Sequence, residues 1–214
     1  MVWLRRLAVA LAAVAVAALI ASGPGTRLGL WQYPVAFWLL RVAAYAGIAA
    51  GVLSLVALAV PKARAGKLRW LAIALVAGAA AAAVPLNFLR QARSVPPIND
   101  ISTDLQNAAF AEQQKQAYPD VQPLRLPSSP RASFEKALAA AQAMGWDITQ
   151  QDPAAGSIEA VDTTRWFGFK DDIAVRVSPE GAGSRVDVRS KSRVGRSDLG
   201  TNARRIRSYF ERLK

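Results

Sequence analysis

The sequence predicts a membrane protein: three transmembrane α-helices followed by a soluble α+β domain, a four-stranded antiparallel meander with helices on one face. Three observations predict this. Three apolar runs of helix length fill most of the first 94 residues. All 15 acidic residues lie between Asp100 and Glu211. Beyond residue 145 the apolar period becomes two, and it returns to a helical spacing only at the C-terminus.

Composition excludes much chemistry. The 214 residues include no histidine and no cysteine. Ser-His-Asp and Cys-His nucleophiles, thiol redox chemistry, disulfides and the usual zinc sites are therefore absent. The net charge of +12 invites a nucleic-acid reading, but its distribution argues against one. Residues 1–94 carry ten basic residues and no acidic one, whereas the remainder is nearly neutral. Basic residues flanking apolar runs are topology signals.

The first run, Leu7–Ala21, is extended to a span of about 3–22 if Arg5 and Arg6 snorkel. The others predict spans of about 35–60 and 68–89, each matching the roughly 20 residues that cross a hydrocarbon core of about 30 Å. The first run can also be read as a signal peptide. An uncleaved helix is favoured because Leu19-Ile20-Ala21 lacks a small residue three before a cut. One side of the membrane then holds Arg5, Arg6, Lys62, Arg64, Lys67 and Arg69, and the other holds Arg27, Arg90 and Arg93. This places the N-terminus in the cytoplasm of a bacterium and everything after Arg93 in the periplasm, anchored in the inner membrane. Arg41, inside the second span, is expected to snorkel to head groups. Gly47 and Gly51 form a small-residue step suited to close packing within the chain, and Pro85 is expected to kink the third helix.

Residues 95–130 contain six prolines and predict an extended segment wrapping the domain, whose core is 131–214. Ser129 with Pro130 predicts a helix start. Gly145 and Trp146 predict its stop near Met144. Strands are expected at 147–151 and 157–164, followed by a hairpin. Ile173, Val175 and Val177 alternate with Asp172, Ala174 and Arg176, and a turn over 179–184 leads to Val186 and Val188. Aligning the arms so that Val177 faces Val186 sets Arg176 against Asp187 and Asp172 against Lys191, so opposite charges meet twice. A last helix from about Asp198 places Leu199, Ala203, Ile206, Phe210 and Leu213 on one stripe, with Arg204, Arg205, Arg207 and Arg212 off it.

Ser133-Phe134-Glu135-Lys136 matches the S-x-x-K of penicillin-interacting enzymes by chance, because its companion motifs are missing. The denser region is Arg165–Asp172 with Arg189–Arg205. There the core face of the hairpin ends in Ser190 and Ser192 beside Asp171, a place where something polar is buried or bound. Asp198 and Asn202 start the last helix nearby. Gly168, Phe169, Asp171 and Asp172 are followed by Arg189, Ser190, Ser192, Arg193, Gly195, Ser197, Asp198, Leu199, Gly200, Asn202 and Arg205. This pattern resembles the uncharacterised bacterial and plastid domain-of-unknown-function family 1499 over roughly residues 95–214. The resemblance implies the domain and no activity or ligand.

Three readings of the cluster remain open. It can be architecture alone. It can be the site of a non-enzymatic envelope module that binds a lipid, an anionic ligand or a partner protein through Asp171, Arg189, Ser190, Ser192, Arg193, Asp198, Asn202 and Arg205. It can also serve a carboxylate-dependent envelope hydrolase or transferase using Asp171 and Asp172, although neighbours on a strand point to opposite faces. The expected partners are the bilayer and an anionic head group or envelope protein, with no nucleic acid, cofactor, metal or catalytic residue.

Overall fold

A computed structural model of the chain describes residues 2–61, 68–106 and 108–214. It divides into two compact units, Met1–Gln91 with Arg165–Gly168, and Ala92–Thr164 with Phe169–Lys214.

The first unit is built on three helices, α1 (Val2–Arg27), α2 (Tyr33–Ala59) and α3 (Leu68–Ser94), each long and apolar enough to cross a membrane. α3 runs unbroken through Pro85. The buried positions of α2 are Ala36, Leu40, Ala43, Gly47, Ala50, Ser54 and Ala57, alternating steps of four and three along one face. Nearly all are small. In hydrocarbon no hydrophobic force separates helix from lipid, so close backbone approach through small residues supplies the packing. At the tightest point a Cβ on Gly47 would lie 2.5 Å from the Gly78 carbonyl oxygen, and one on Gly78 would lie 2.8 Å from that of Gly47. Gly51 is different, since its nearest neighbour would be Leu75 Cδ1 at 3.8 Å. Trp38, Tyr45, Val52 and Leu55 face outward, as does Arg41. Within this unit Phe167 lies edge-on to Phe37, with ring centroids 6.3 Å apart. Residues 62–67, which carry three of the basic residues used to assign orientation, lie outside the described residues.

The second unit is an antiparallel sheet with helices on one face. Its elements are β1 (Asp100–Ser102), α4 (Ala111–Ala117), β2 (Leu124–Leu126), α5 (Pro130–Ala143), β3 (Asp147–Asp152), β4 (Ser157–Thr163), β5 (Lys170–Glu180), β6 (Gly183–Ser192) and α6 (Thr201–Leu213). The expected meander β3–β4–β5–β6 is present, and the hairpin register is the expected one: Val177 faces Val186, Arg176 faces Asp187 and Asp172 faces Lys191. The sheet nevertheless has six strands, not four. β1 and β2, both in the proline-rich segment expected to be extended, pair with β6 along its outer edge. Three residues are too few for a period of two to register. The free edge of β1 is closed by Gln114 of α4, whose amide accepts from the Ser102 N–H at 2.9 Å and donates to the Ser102 carbonyl at 2.6 Å. β3 forms the other edge, interrupted by a bulge between Ile148 and Gln150 and bounded by Asp147 and Asp152, features that discourage edge pairing.

The core lies between the sheet and α5 with α6. Ile158, Ile173, Val175, Val177, Val186 and Val188 pack against Phe134, Ala141, Ile206 and Phe210. Ser129 caps α5 by accepting from the Ala132 N–H. Its other end is a Schellman stop: Gly145 takes φ +76°, its N–H reaches the Gln142 carbonyl, and the Trp146 N–H reaches that of Ala141. The Trp146 ring then stacks on Tyr209 with centroids 4.9 Å apart. Ser133 is buried in a hydroxyl cluster with Ser128 and Ser184. Two expectations for α6 are corrected. It begins at Thr201, because Leu199 and Gly200 both take positive φ and cannot continue a helix. Arg205 does not lie off the buried face but is itself buried.

Gly47→Leu should lower the thermal midpoint of the detergent-extracted protein, reflecting an overpacking cost of about 1–3 kcal/mol. Gly51→Leu, with space beyond it, should leave the midpoint nearly unchanged.

Candidate functional site

The polar end of the sheet is assembled by pairing. On the core face Asp162 of β4 stands opposite Asp171 of β5, which stands opposite Ser192 of β6. One row further in, Ala160, Ile173 and Ser190 continue the face. α6 lies across this end because its apolar stripe packs on the core, and Arg205 projects beneath it onto the carboxylates.

The Arg205 side chain is 4% exposed, as is that of Asp171. Its Nε donates to Asp162 Oδ2 at 2.8 Å and its Nη2 to Asp171 Oδ2 at 2.6 Å. Nη1 donates to Ser190 Oγ at 2.9 Å and to Asn202 Oδ1. Each guanidinium nitrogen thus has a protein acceptor. Asn202 is fully buried and equally committed: its Oδ1 also accepts from Ser190 Oγ at 2.8 Å, and its Nδ2 donates to the Asn99 carbonyl at 3.0 Å and to Ser192 Oγ at 3.1 Å. The Asp198 carboxylate serves the start of α6 from outside, accepting from the Gly200 N–H at 2.8 Å and the Asn202 N–H at 2.7 Å. Burial pushes the Asp198 carboxyl above its ordinary value, against the pull of those two bonds. Burial also pushes the Tyr118 phenol up, and the charge of Asp198 adds to the effect.

Six of the eight residues singled out in the sequence therefore meet in one network: Asp171, Ser190, Ser192, Asp198, Asn202 and Arg205. The other two are elsewhere. Arg189 lies on the opposite face of the sheet, forked onto Asp100 at 2.9 and 2.6 Å. Arg193 forms an exposed fork with Asp172, which holds that carboxyl below its ordinary range. Asp171 and Asp172 point to opposite faces, and the carboxylate that does face Asp171, that of Asp162, shares its guanidinium. Sequence reasoning missed Asp162, Asn99 and Asp100. Asp162 continues the inward-facing series Ile158, Ala160 once the strand register is known. The other two belong to the segment in which no strand was expected.

The face turned away from the helices is built differently. Around the small side chain of Ala174, in the middle of β5, stand Glu159, Arg176, Asp187 and Arg189. Two adjoining hollows of about 340 and 230 Å³ meet over Glu159, Ala174 and Arg189. Among the described residues, Glu159 and Arg176 have no ion-pair partner. Asp104 and Lys191, which also line the hollows, likewise have none.

Residues 100–213 match the model of a family described as a protein of unknown function (DUF1499). No curated protein matches the chain.

Arg205→Met should destabilise the domain by about 3–5 kcal/mol, because it strands Asp171 as an unpaired buried charge. Arg193→Ala, at an exposed fork, should leave the denaturant midpoint nearly unchanged. Asp198 yields a pH prediction. Its folded-state pKa lies above the ordinary 3.8, so the native state binds more protons across that interval. Its contribution is complete below pH 3.8 and declines as pH rises through the folded value. Asp198→Asn should remove that decline from a plot of unfolding free energy against pH.

Proposed function

This chain belongs to the DUF1499 family of proteins of unknown function, and we propose that it serves as a non-enzymatic module of the bacterial cell envelope. Its helical unit anchors it in the inner membrane, and its α+β domain in the periplasm binds a ligand or partner on the open face of the sheet. The observation that carries this reading is the contrast between the two faces. The polar network under α6 spends its donors and acceptors on itself, which supports a structural role for it. The open face keeps Glu159 and Arg176 unpaired beside a hollow large enough for a small ligand, since ligand sites start at about 300 Å³.

The orientation rests on the excess of Lys and Arg on one side of the spans, six against three. Alkaline phosphatase fused after Lys214 should be active in a bacterial host, and fused after Lys67 inactive. The reverse pattern would put the domain in the cytoplasm. Binding is tested by native mass spectrometry of the protein extracted in mild detergent. A non-covalent adduct should be retained by the full chain and lost when Ala174 is replaced by leucine, which fills the hollow. An adduct that survives Ala174→Leu would show that the open face is not the binding surface.

A further inference from the structure

We infer that the hollow over Ala174 takes a phosphoethanolamine group, with the phosphate on Arg176 and the primary ammonium on Glu159; this rests on the open face being the binding surface. The inference begins with Ala174. Along β5 the outward positions read Asp172, Ala174, Arg176, and Ala174 is flanked on the neighbouring strands by Glu159 and Arg189. With Ser157 of β4 and Ser102 of β1 on the same face, Ala174 leaves a trough with a short-chain floor. Its rim carries both signs of charge.

The rim charges are not equivalent. Arg189 is forked onto Asp100, and Asp187 is held by Arg185 and Thr103. Among the described residues Glu159 and Arg176 are the two of these four without an ion pair, and the further unpaired lining charges, Asp104 and Lys191, add one of each sign. Glu159 stands opposite Ala174, so Arg176 is its diagonal neighbour, at about 7–8 Å between backbones. A ligand that satisfies both must carry an anion and a cation a short distance apart. A guanidinium favours phosphate, whose oxygens match its fork. A carboxylate favours a cation that donates hydrogen bonds, and a primary ammonium offers three donors. A quaternary ammonium offers none and is held instead by aromatic cages, but among the described residues no aromatic one lines either hollow. The trough therefore selects ethanolamine over choline. A purely anionic head group such as phosphatidylglycerol would leave Glu159 unpaired and repelled.

The group has two sources, a membrane phospholipid or a soluble glycerophosphodiester, and the experiment separates them. The delipidated full chain in detergent is offered equal amounts of phosphatidylethanolamine, phosphatidylcholine and phosphatidylglycerol, and occupancy is read by native mass spectrometry. Phosphatidylethanolamine should exceed each of the others by about tenfold. That preference should vanish in Ala174→Leu and fall in both Glu159→Gln and Arg176→Gln. Leucine has the higher strand propensity and sits on the solvent face, so an unchanged far-ultraviolet spectrum should confirm folding. In a second arm glycerophosphoethanolamine is titrated against the lipid adduct. Displacement of the adduct identifies a soluble ligand, and retention identifies the membrane lipid; both outcomes keep the assigned chemistry. Equal occupancy by all three lipids, or a preference unaffected by Ala174→Leu, overturns it. A phosphatidylglycerol adduct that Ala174→Leu abolishes overturns this inference and leaves the proposed function standing.

Discussion

The constraint on which the domain depends is the burial of one guanidinium. Taking a cation out of water costs several kcal/mol, and the structure offsets this only by surrounding Arg205 with acceptors. Those acceptors come from four places in the chain: Asp162 on β4, Asp171 on β5, Ser190 on β6 and Asn202 on α6. Each must be held still for the bonds to form. Asn202 is held by Asn99 and Ser192, and its backbone by Asp198. The segment entering β1 is thereby fixed to the start of α6. A single buried charge joins strand ends, the terminal helix and the incoming segment, so none of them can shift alone.

The two units solve the packing problem by opposite means. In the helical unit the large apolar side chains face outward and the small ones inward, and Gly47 meets Gly78 almost backbone to backbone. In the α+β unit large apolar side chains face inward, and closure depends on Tyr209 stacked on Trp146 and bonded to the Ala137 carbonyl. The difference is the one expected of helices that lie in lipid and a domain that lies in water. Water rewards burial of apolar area, whereas lipid rewards only contact, so small residues are the ones that gain by lying inside.

How much of this is legible in the sequence depends on the length of the signal. The hairpin is long, alternates cleanly and pairs opposite charges, so its register can be read residue by residue. The helix ends at Ser129 and Gly145 are written in capping chemistry. β1 and β2 have three residues each and borrow their pairing from β6, so nothing local announces them. Arg205 misleads for a different reason. It sits one position from Ile206, at the edge of the apolar stripe, where a charge is ordinarily solvated. Its burial follows from Asp162 and Asp171, which lie 43 and 34 residues earlier in the chain. No helical period contains that information.

The position of the motif relative to the open face bears on where function resides. Ser190, Ser192, Asp198, Gly200, Asn202 and Arg205 look like chemistry in the sequence because they are polar, dense and precisely spaced. That spacing is what a self-satisfying network requires. Gly200, at φ +73°, holds a left-handed backbone conformation that residues with a side chain rarely adopt, so even the glycine answers a structural demand. A polar group whose bonds are complete has little left to offer a ligand. Residues with something left are those whose partners are missing, and on this domain Glu159 and Arg176 stand beside Ala174 without an ion-pair partner among the described residues. Under the proposed function, recognition is carried by side chains outside the motif, and the motif holds the sheet in place beneath them.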